Sequence, residues 1–188
     1  MVRAVVAKGC LRRAVFLDRD GVLVVPIFRE GRSFAPTNLR EFSIYPDAAK
    51  CVNLLKRAGF AVVVVSNQPD VGAGRVSRRF VEEMNARLSD AMPIDVVKVC
   101  YHTRDQRCTC RKPLPGMLLE AAAELEIDLS ASIMVGDRAS DVEAGAAAGC
   151  RTVFVDLGYT SEPPPPNPSK IVASLGEATD WILSKHPD

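Results

Sequence analysis

Phe16-Leu17-Asp18-Arg19-Asp20-Gly21-Val22-Leu23 is the stretch that decides the fold. An apolar run, Ala14 to Leu17, passes directly into two carboxylates at i and i+2 and then a glycine. In open parallel sheets ligands sit beyond the carboxyl ends of strands, so these acids fall where a ligand would be met. Side chains at i and i+2 of an extended segment share one side. Asp18 and Asp20 can therefore face the same reacting group, one as nucleophile and one as proton donor. The pattern alone fits equally a metal site or a turn with surface acids, since Asp-Gly pairs are common turn formers.

Outward from this stretch, short β-branched runs alternate with amphipathic segments, which predicts an α/β fold: a mostly parallel sheet with helices on both faces. The expected strands are Ala14 to Leu17, Ala61 to Val65, Val96 to Tyr101, Ser132 to Val135 and Thr152 to Val155. Asp47 is placed to cap a helix that Gly59 stops. Ser77 is placed to cap another, with Phe80, Met84, Leu88 and Met92 as a core-facing stripe. Pro115 suits a first turn, Asp141 to Ala148 reads as a short helix ended by Gly149, and Ser174 with Glu177 forms a capping box before Trp181. With 188 residues a single domain is expected, residues 1–13 being an N-terminal extension. Between Gly21 and Pro46 there is too little chain for a large helical lid, so a minimal cap and an open, loop-lined site are expected.

Three further strand or loop ends carry polar groups. Ser66-Asn67-Gln68 offers a hydroxyl and two amides that can hydrogen-bond phosphate oxygens without adding charge. A carboxylate approaching a phosphate dianion meets repulsion on the order of 4 kcal/mol per charge pair at about 4 Å, and Arg111-Lys112-Pro113 supplies cations to offset it. Lys112 is a compact point charge for the phosphoryl group, and Arg111 a fork for another oxygen-rich part of the substrate. Ile133-Met134-Val135-Gly136-Asp137-Arg138 delivers another acid at a strand end. Magnesium usually takes one or two carboxylates from a protein, and Asp18 and Asp137 could provide two. Asp141 is placed either to hold Lys112 or to cap its own helix.

Cys100-x-His102-x5-Cys108-x-Cys110 is of a different kind. Three thiols and an imidazole fill a tetrahedral zinc site completely, so the metal there would be structural and would staple the 100–110 loop. The other cysteines, Cys10, Cys51 and Cys150, read as buried reduced thiols. The charge balance, 24 basic against 23 acidic residues, gives no sign of a nucleic-acid surface. Neither an export signal nor a membrane-spanning run is apparent, and the expectation is a cytoplasmic monomer.

In order, Asp18-x-Asp20-Gly21, Ser66-Asn67-Gln68, Arg111-Lys112-Pro113 and Gly136-Asp137-Arg138-x-x-Asp141 resemble the motifs of the haloacid dehalogenase superfamily. The interposed cysteine elements resemble its branch of heptose bisphosphate and histidinol phosphatases. The likeness runs from about Val15 to Tyr159. It implies a Rossmann-like core, an Asp18 nucleophile, Asp20 as acid then base, and magnesium on Asp18, the Asp20 backbone carbonyl and Asp137. It further implies phosphoryl contacts from Ser66 and Lys112, with substrate contacts from Arg111, Arg138 and the region of Arg29; the amide of Asn67, by its place at a strand end, is a further candidate for the substrate. The five-residue interval between His102 and Cys108 is closer to the histidinol enzymes. Pro115-Gly116-Met117-Leu118 is closer to the heptose enzymes, and the loop Pro69 to Arg75 departs from their usual Ser-Gly-Ile-Ala-Arg-Gly. The expected activity is removal of the 7-phosphate of a heptose 1,7-bisphosphate, with histidinol phosphate or another small sugar phosphate as the alternative substrate. Rivals of other classes are a phospho-accepting regulatory module and a zinc-binding interaction domain; the nearest enzymatic rival is a phosphomutase.

Overall fold

The computed structural model describes residues 11–161 and 163–185; Cys10 and most of the expected N-terminal extension lie outside them. The strands are β1 (Ala14–Leu17), β2 (Ile27–Arg29), β3 (Arg32–Phe34), β4 (Ala61–Asn67), β5 (Val96–Cys100), β6 (Ile133–Gly136), β7 (Arg151–Val155) and β8 (Lys170–Val172). The helices are α1 (Ala48–Arg57), α2 (Pro69–Gly72), α3 (Arg78–Ala91), α4 (Gly116–Leu125), α5 (Ala139–Ala147) and α6 (Leu175–Ser184). Six strands form one parallel sheet in the order β5-β4-β1-β6-β7-β8. The chain runs outward from β1 through β4 to β5, then returns to β6 beside β1 and runs the other way. The crevice at such a reversal, outside the carboxyl ends of the strands, is where open α/β sheets bind ligands.

The central strands read as continuous apolar runs because both of their faces are covered. Val15, Leu17, Val62, Val64, Ile133, Val135, Val153 and Val155 face the side packed by α1 and α6. Ala14, Phe16, Ala61, Val63, Val65 and Met134 face α4 and α5. All five strands expected from the sequence are present, within two residues at each end. No helix among the described residues is long and apolar enough to cross a membrane.

Several local details differ from the expected ones. Asp47 occupies the N-cap position of α1 but its side chain makes no capping bond, whereas Ser77 accepts from Phe80 N–H as anticipated. In the expected box Ser174 accepts from Glu177 N–H, but the Glu177 carboxylate accepts from Ala173 rather than from Ser174. Along α3 the buried face is Val81, Met84, Asn85 and Leu88; Phe80 is only half-buried. The segment after Gly21 holds an antiparallel hairpin, β2–β3, that the sequence reading did not foresee. Its two-residue turn, Glu30-Gly31, has φ of 50° and 74°, the positive pair that type I′ hairpins require and that glycine adopts without strain.

Candidate active site

Four segments meet at the carboxyl ends of β1, β4 and β6. Asp18 follows β1 and is tied to β6 by its N–H, which donates to Val135 O at 2.9 Å. Lys112, from the loop between β5 and α4, is buried with its Nζ 2.6 Å from Asp18 Oδ1, 2.7 Å from Asp141 Oδ1 and 2.7 Å from Val65 O. Burial alone would lower its pKa, but the carboxylates of Asp141 and Asp18 outweigh that and hold the ammonium above its ordinary value. Asp141 does both things left open by its sequence position: besides the lysine, its Oδ2 accepts from Arg138 N–H at 3.0 Å at the start of α5.

Asp137 follows β6 and is buried. Its Oδ2 accepts from Tyr159 O–H at 2.5 Å, while Oδ1 has no hydrogen-bond partner. An orphaned carboxylate oxygen in a dry place is costly. Burial pushes Asp137 well above the usual carboxylate range, and Asp18 and Asp141 push it further; burial likewise raises Asp18, against the pull of Lys112. Asp18, Asp137 and Asp141 bring one oxygen each within 4.8 Å of one another. This all-oxygen set, with an unpartnered oxygen and more negative charge than Lys112 cancels, fits a hard divalent cation such as magnesium. Gly21 makes room for the Asp137 carboxylate: at φ +99° it carries no Cβ, which would collide with that group.

Asp20 is held from behind. Arg19 Nη2 lies 2.9 Å from Asp20 Oδ2, and Gln68 Nε2 donates to the same oxygen at 2.7 Å and to Ser66 Oγ at 2.9 Å. Neither Arg19 nor Tyr159 stood out in the sequence. Arg19 is hidden between the two acids, and nothing in the spacing ties Tyr159 to a strand end 22 residues earlier. Asn67, expected at the substrate, has its amide occupied on both sides by the Lys112 backbone: Nδ2 donates to Lys112 O at 3.0 Å and Oδ1 accepts from Lys112 N–H at 3.1 Å. It fixes the loop that carries the lysine.

A cavity of about 1000 Å³ opens over this floor, lined by Asp18, Asp20, Ser66, Lys112 and a ring of arginines: Arg32, Arg104, Arg107, Arg111 and Arg138. Arg29 does not line it; it lies near Glu41, and its hairpin partner Arg32 takes the place expected for it. Arg138 Nη2 donates to Ser33 O and Oγ at 2.6 and 2.7 Å, which ties the hairpin to the start of α5.

At one side of the cavity stand the thiols. Cys100 Sγ is 3.2 Å from Cys110 Sγ, 3.6 Å from Cys108 Sγ and 3.6 Å from His102 Nδ1, and His102 Nδ1 is 3.3 Å from Cys110 Sγ. Tetrahedral zinc with bonds of 2.0 to 2.3 Å would set such edges at roughly 3.5 to 3.8 Å. The four groups are therefore compatible with one metal ion. Arg111 Nη1 donates to His102 O at 3.3 Å, joining this cluster to the cavity wall.

Comparison with known proteins agrees with the geometry. The family described as HAD-hydrolase-like matches residues 109–178. The D-glycero-beta-D-manno-heptose-1,7-bisphosphate 7-phosphatase of Yersinia pestis is 36% identical over 189 residues, 93% of this chain and 92% of its own. The chain belongs to the haloacid dehalogenase superfamily. Within the superfamily its likeness to the heptose bisphosphate branch extends to a D-glycero-alpha-D-manno-heptose-1,7-bisphosphate 7-phosphatase of Mycobacterium tuberculosis, 39% identical over 75% of this chain and 78% of its own. The crystal structure of a D,D-heptose 1,7-bisphosphate phosphatase from B. bronchiseptica, complexed with magnesium and phosphate, superposes with a TM-score of 0.79. It is 25% identical, covering 92% of this chain and 99% of its own.

Proposed function

We propose that this chain is a magnesium-dependent phosphatase that removes the 7-phosphate of a heptose 1,7-bisphosphate through an aspartyl phosphate on Asp18. The observation that carries the reading is Asp18, 2.6 Å from a buried lysine and beside an unpartnered Asp137 oxygen, on the floor of an arginine-lined cavity. One anionic group meets the floor. The arginines above suit a second, which favours a bisphosphate over a monophosphate.

In this mechanism Asp18 attacks phosphorus in line, Asp20 protonates the departing alkoxide, and Asp20 then takes a proton from the water that hydrolyses the acyl phosphate. Lys112 and the Ser66 hydroxyl meet the equatorial oxygens as their charge spreads. Magnesium, held by Asp18, Asp137 and the Asp20 backbone carbonyl, would neutralise phosphoryl charge. Arg111 and Arg138 would contact the remainder of the substrate. Cys100, His102, Cys108 and Cys110 would hold a structural zinc that keeps Arg111 in place.

The test is phosphate release with magnesium from both anomers of heptose 1,7-bisphosphate, from fructose 1,6-bisphosphate and from histidinol phosphate. One heptose anomer is expected to lead the others in kcat/KM by at least about tenfold, and Asp18→Asn to lose roughly 10⁴-fold or more. A preference for histidinol phosphate would keep the chemistry and replace the substrate. Unaltered turnover in Asp18→Asn would remove the nucleophile.

A further inference from the structure

Arg19 is fully buried, a rare setting for a guanidinium unless it is paired. Its Nε lies 3.2 Å from each carboxylate oxygen of Asp20, its Nη2 2.9 Å from Oδ2, and its Nη1 donates to Asn85 Oδ1 on α3 at 3.1 Å. Gln68 Nε2 adds the 2.7 Å bond to Oδ2. The two oxygens of Asp20 are thus unequal: Oδ2 meets three donors, and Oδ1 meets one at the longer distance of 3.2 Å.

We propose that Arg19 is a positioning residue that, braced by Asn85 and joined by Gln68, pins Asp20 Oδ2 and leaves Oδ1 as the oxygen that exchanges the proton with the leaving group. The inference rests on the acid role of Asp20 proposed above. In the step concerned, an Asp18 oxygen bonds to phosphorus and the bond from phosphorus to the leaving oxygen breaks. The electron pair stays on that oxygen, which takes the proton from Asp20. Arg19 touches none of the reacting atoms. A planar fork fixes both the position and the tilt of a carboxylate, which a lysine's point charge does not. The alternative, that Arg19 merely pairs its own buried charge with the half-buried Asp20 so that the chain can fold, makes a different prediction about leaving groups. An alkoxide needs the proton as it departs, whereas p-nitrophenolate leaves without it, so a misaimed acid slows one substrate far more than the other.

The experiment measures single-turnover formation of the acyl phosphate, with magnesium, from the best sugar bisphosphate of the panel and from p-nitrophenyl phosphate. Arg19→Lys is expected to slow the sugar reaction by roughly 10²-fold and Asn85→Ala by about tenfold, with KM within about threefold and the p-nitrophenyl reaction slowed less than about threefold. Asn85→Ala leaves the Arg19–Asp20 pair in place and tests the brace if Arg19→Lys does not fold. Equal slowing of both substrates, or no slowing of either, would overturn the proposal. Asp20→Asn is the reference. If it lacks the split, the acid role falls and this inference with it; if it shows the split and neither other variant does, only the positioning role of Arg19 falls.

Discussion

The carboxylate cluster and the thiol cluster border the same cavity, since Asp18 and Cys108 both line it, but they are assembled differently. Lys112 and Asp18 meet across 94 residues of chain, Cys100 and Cys110 across ten. The first cluster is carried by strands whose order is set by the whole sheet, is buried on nearly every side, and balances its charge with a lysine from a distant loop. The second runs from Cys100, the last residue of β5, into the loop that follows, with His102 exposed, and its four groups are drawn together by proximity in the chain. A cluster of the first kind should share the stability of the core, and one of the second should open alone.

Lys112→Met is the sharpest way to break that contrast. It leaves Asp18 and Asp141 facing each other without the cation between them, and removing one partner from a buried charge set typically costs about 3–5 kcal/mol. Denaturant unfolding should show a loss of that order together with loss of phosphate release. An unchanged midpoint would mean that the carboxylates do not depend on the lysine. Removing metal from the thiols should do less: protease cleavage confined to residues 100–110, and KM for the bisphosphate raised roughly tenfold with kcat nearly kept, because Arg111 leans on His102 O.

That cluster also carries a pH dependence of definite sign. The Cys108 thiol falls to about 7, because burial, which would raise it, is outweighed by hydrogen bonds from Arg111 N–H and the neighbouring thiols. Burial and the thiols of Cys100 and Cys108 push Cys110 up to about 12, and burial raises Cys100. Thiolates bind the metal, so loading near neutral pH must release protons, and zinc affinity should weaken as pH falls through about 7 in a chelator-competition titration.

A subtler probe is Tyr159→Phe, which takes the donor from Asp137 Oδ2 without adding volume. Magnesium affinity, read by titration calorimetry, should drop about tenfold. The smallest effect is expected far from both clusters, at Asp95. There the bond from Lys56 and that from Val62 N–H lower the carboxylate, against burial, which acts to raise it. Its contribution is present above the ordinary carboxylate range and is lost as pH falls through the lowered folded value. Asp95→Asn should cost within about 1 kcal/mol at neutral pH and flatten that acid limb of the stability curve.

Much of this was legible in the chain itself. β1, β4 and β6 announce themselves because a strand buried on both faces must be apolar throughout, and the acids and hydroxyl at their ends break that run abruptly. The thiol cluster is legible because its ligands lie close together in the chain. The β2–β3 hairpin escaped notice because three-residue strands leave almost no alternation to read, and its signal, Glu30-Gly31, is a weaker form of the usual turn pairs. Arg29 and Arg32 both sit on that hairpin, and which of them reaches the cavity depends on how it is anchored to Arg138.

By itself the sequence determined the α/β class, the order of the reactive groups and the local set of thiols and imidazole, because period and short spacing are properties of the chain alone. Only the tertiary structure decided that Asp141 serves both Lys112 and α5, that Asn67 holds a loop, that Tyr159 reaches Asp137, and that Arg19 turns inward to Asp20. Each of these pairings is a distance of about 3 Å set by how strands, helices and loops pack, and no spacing along the chain encodes such a distance.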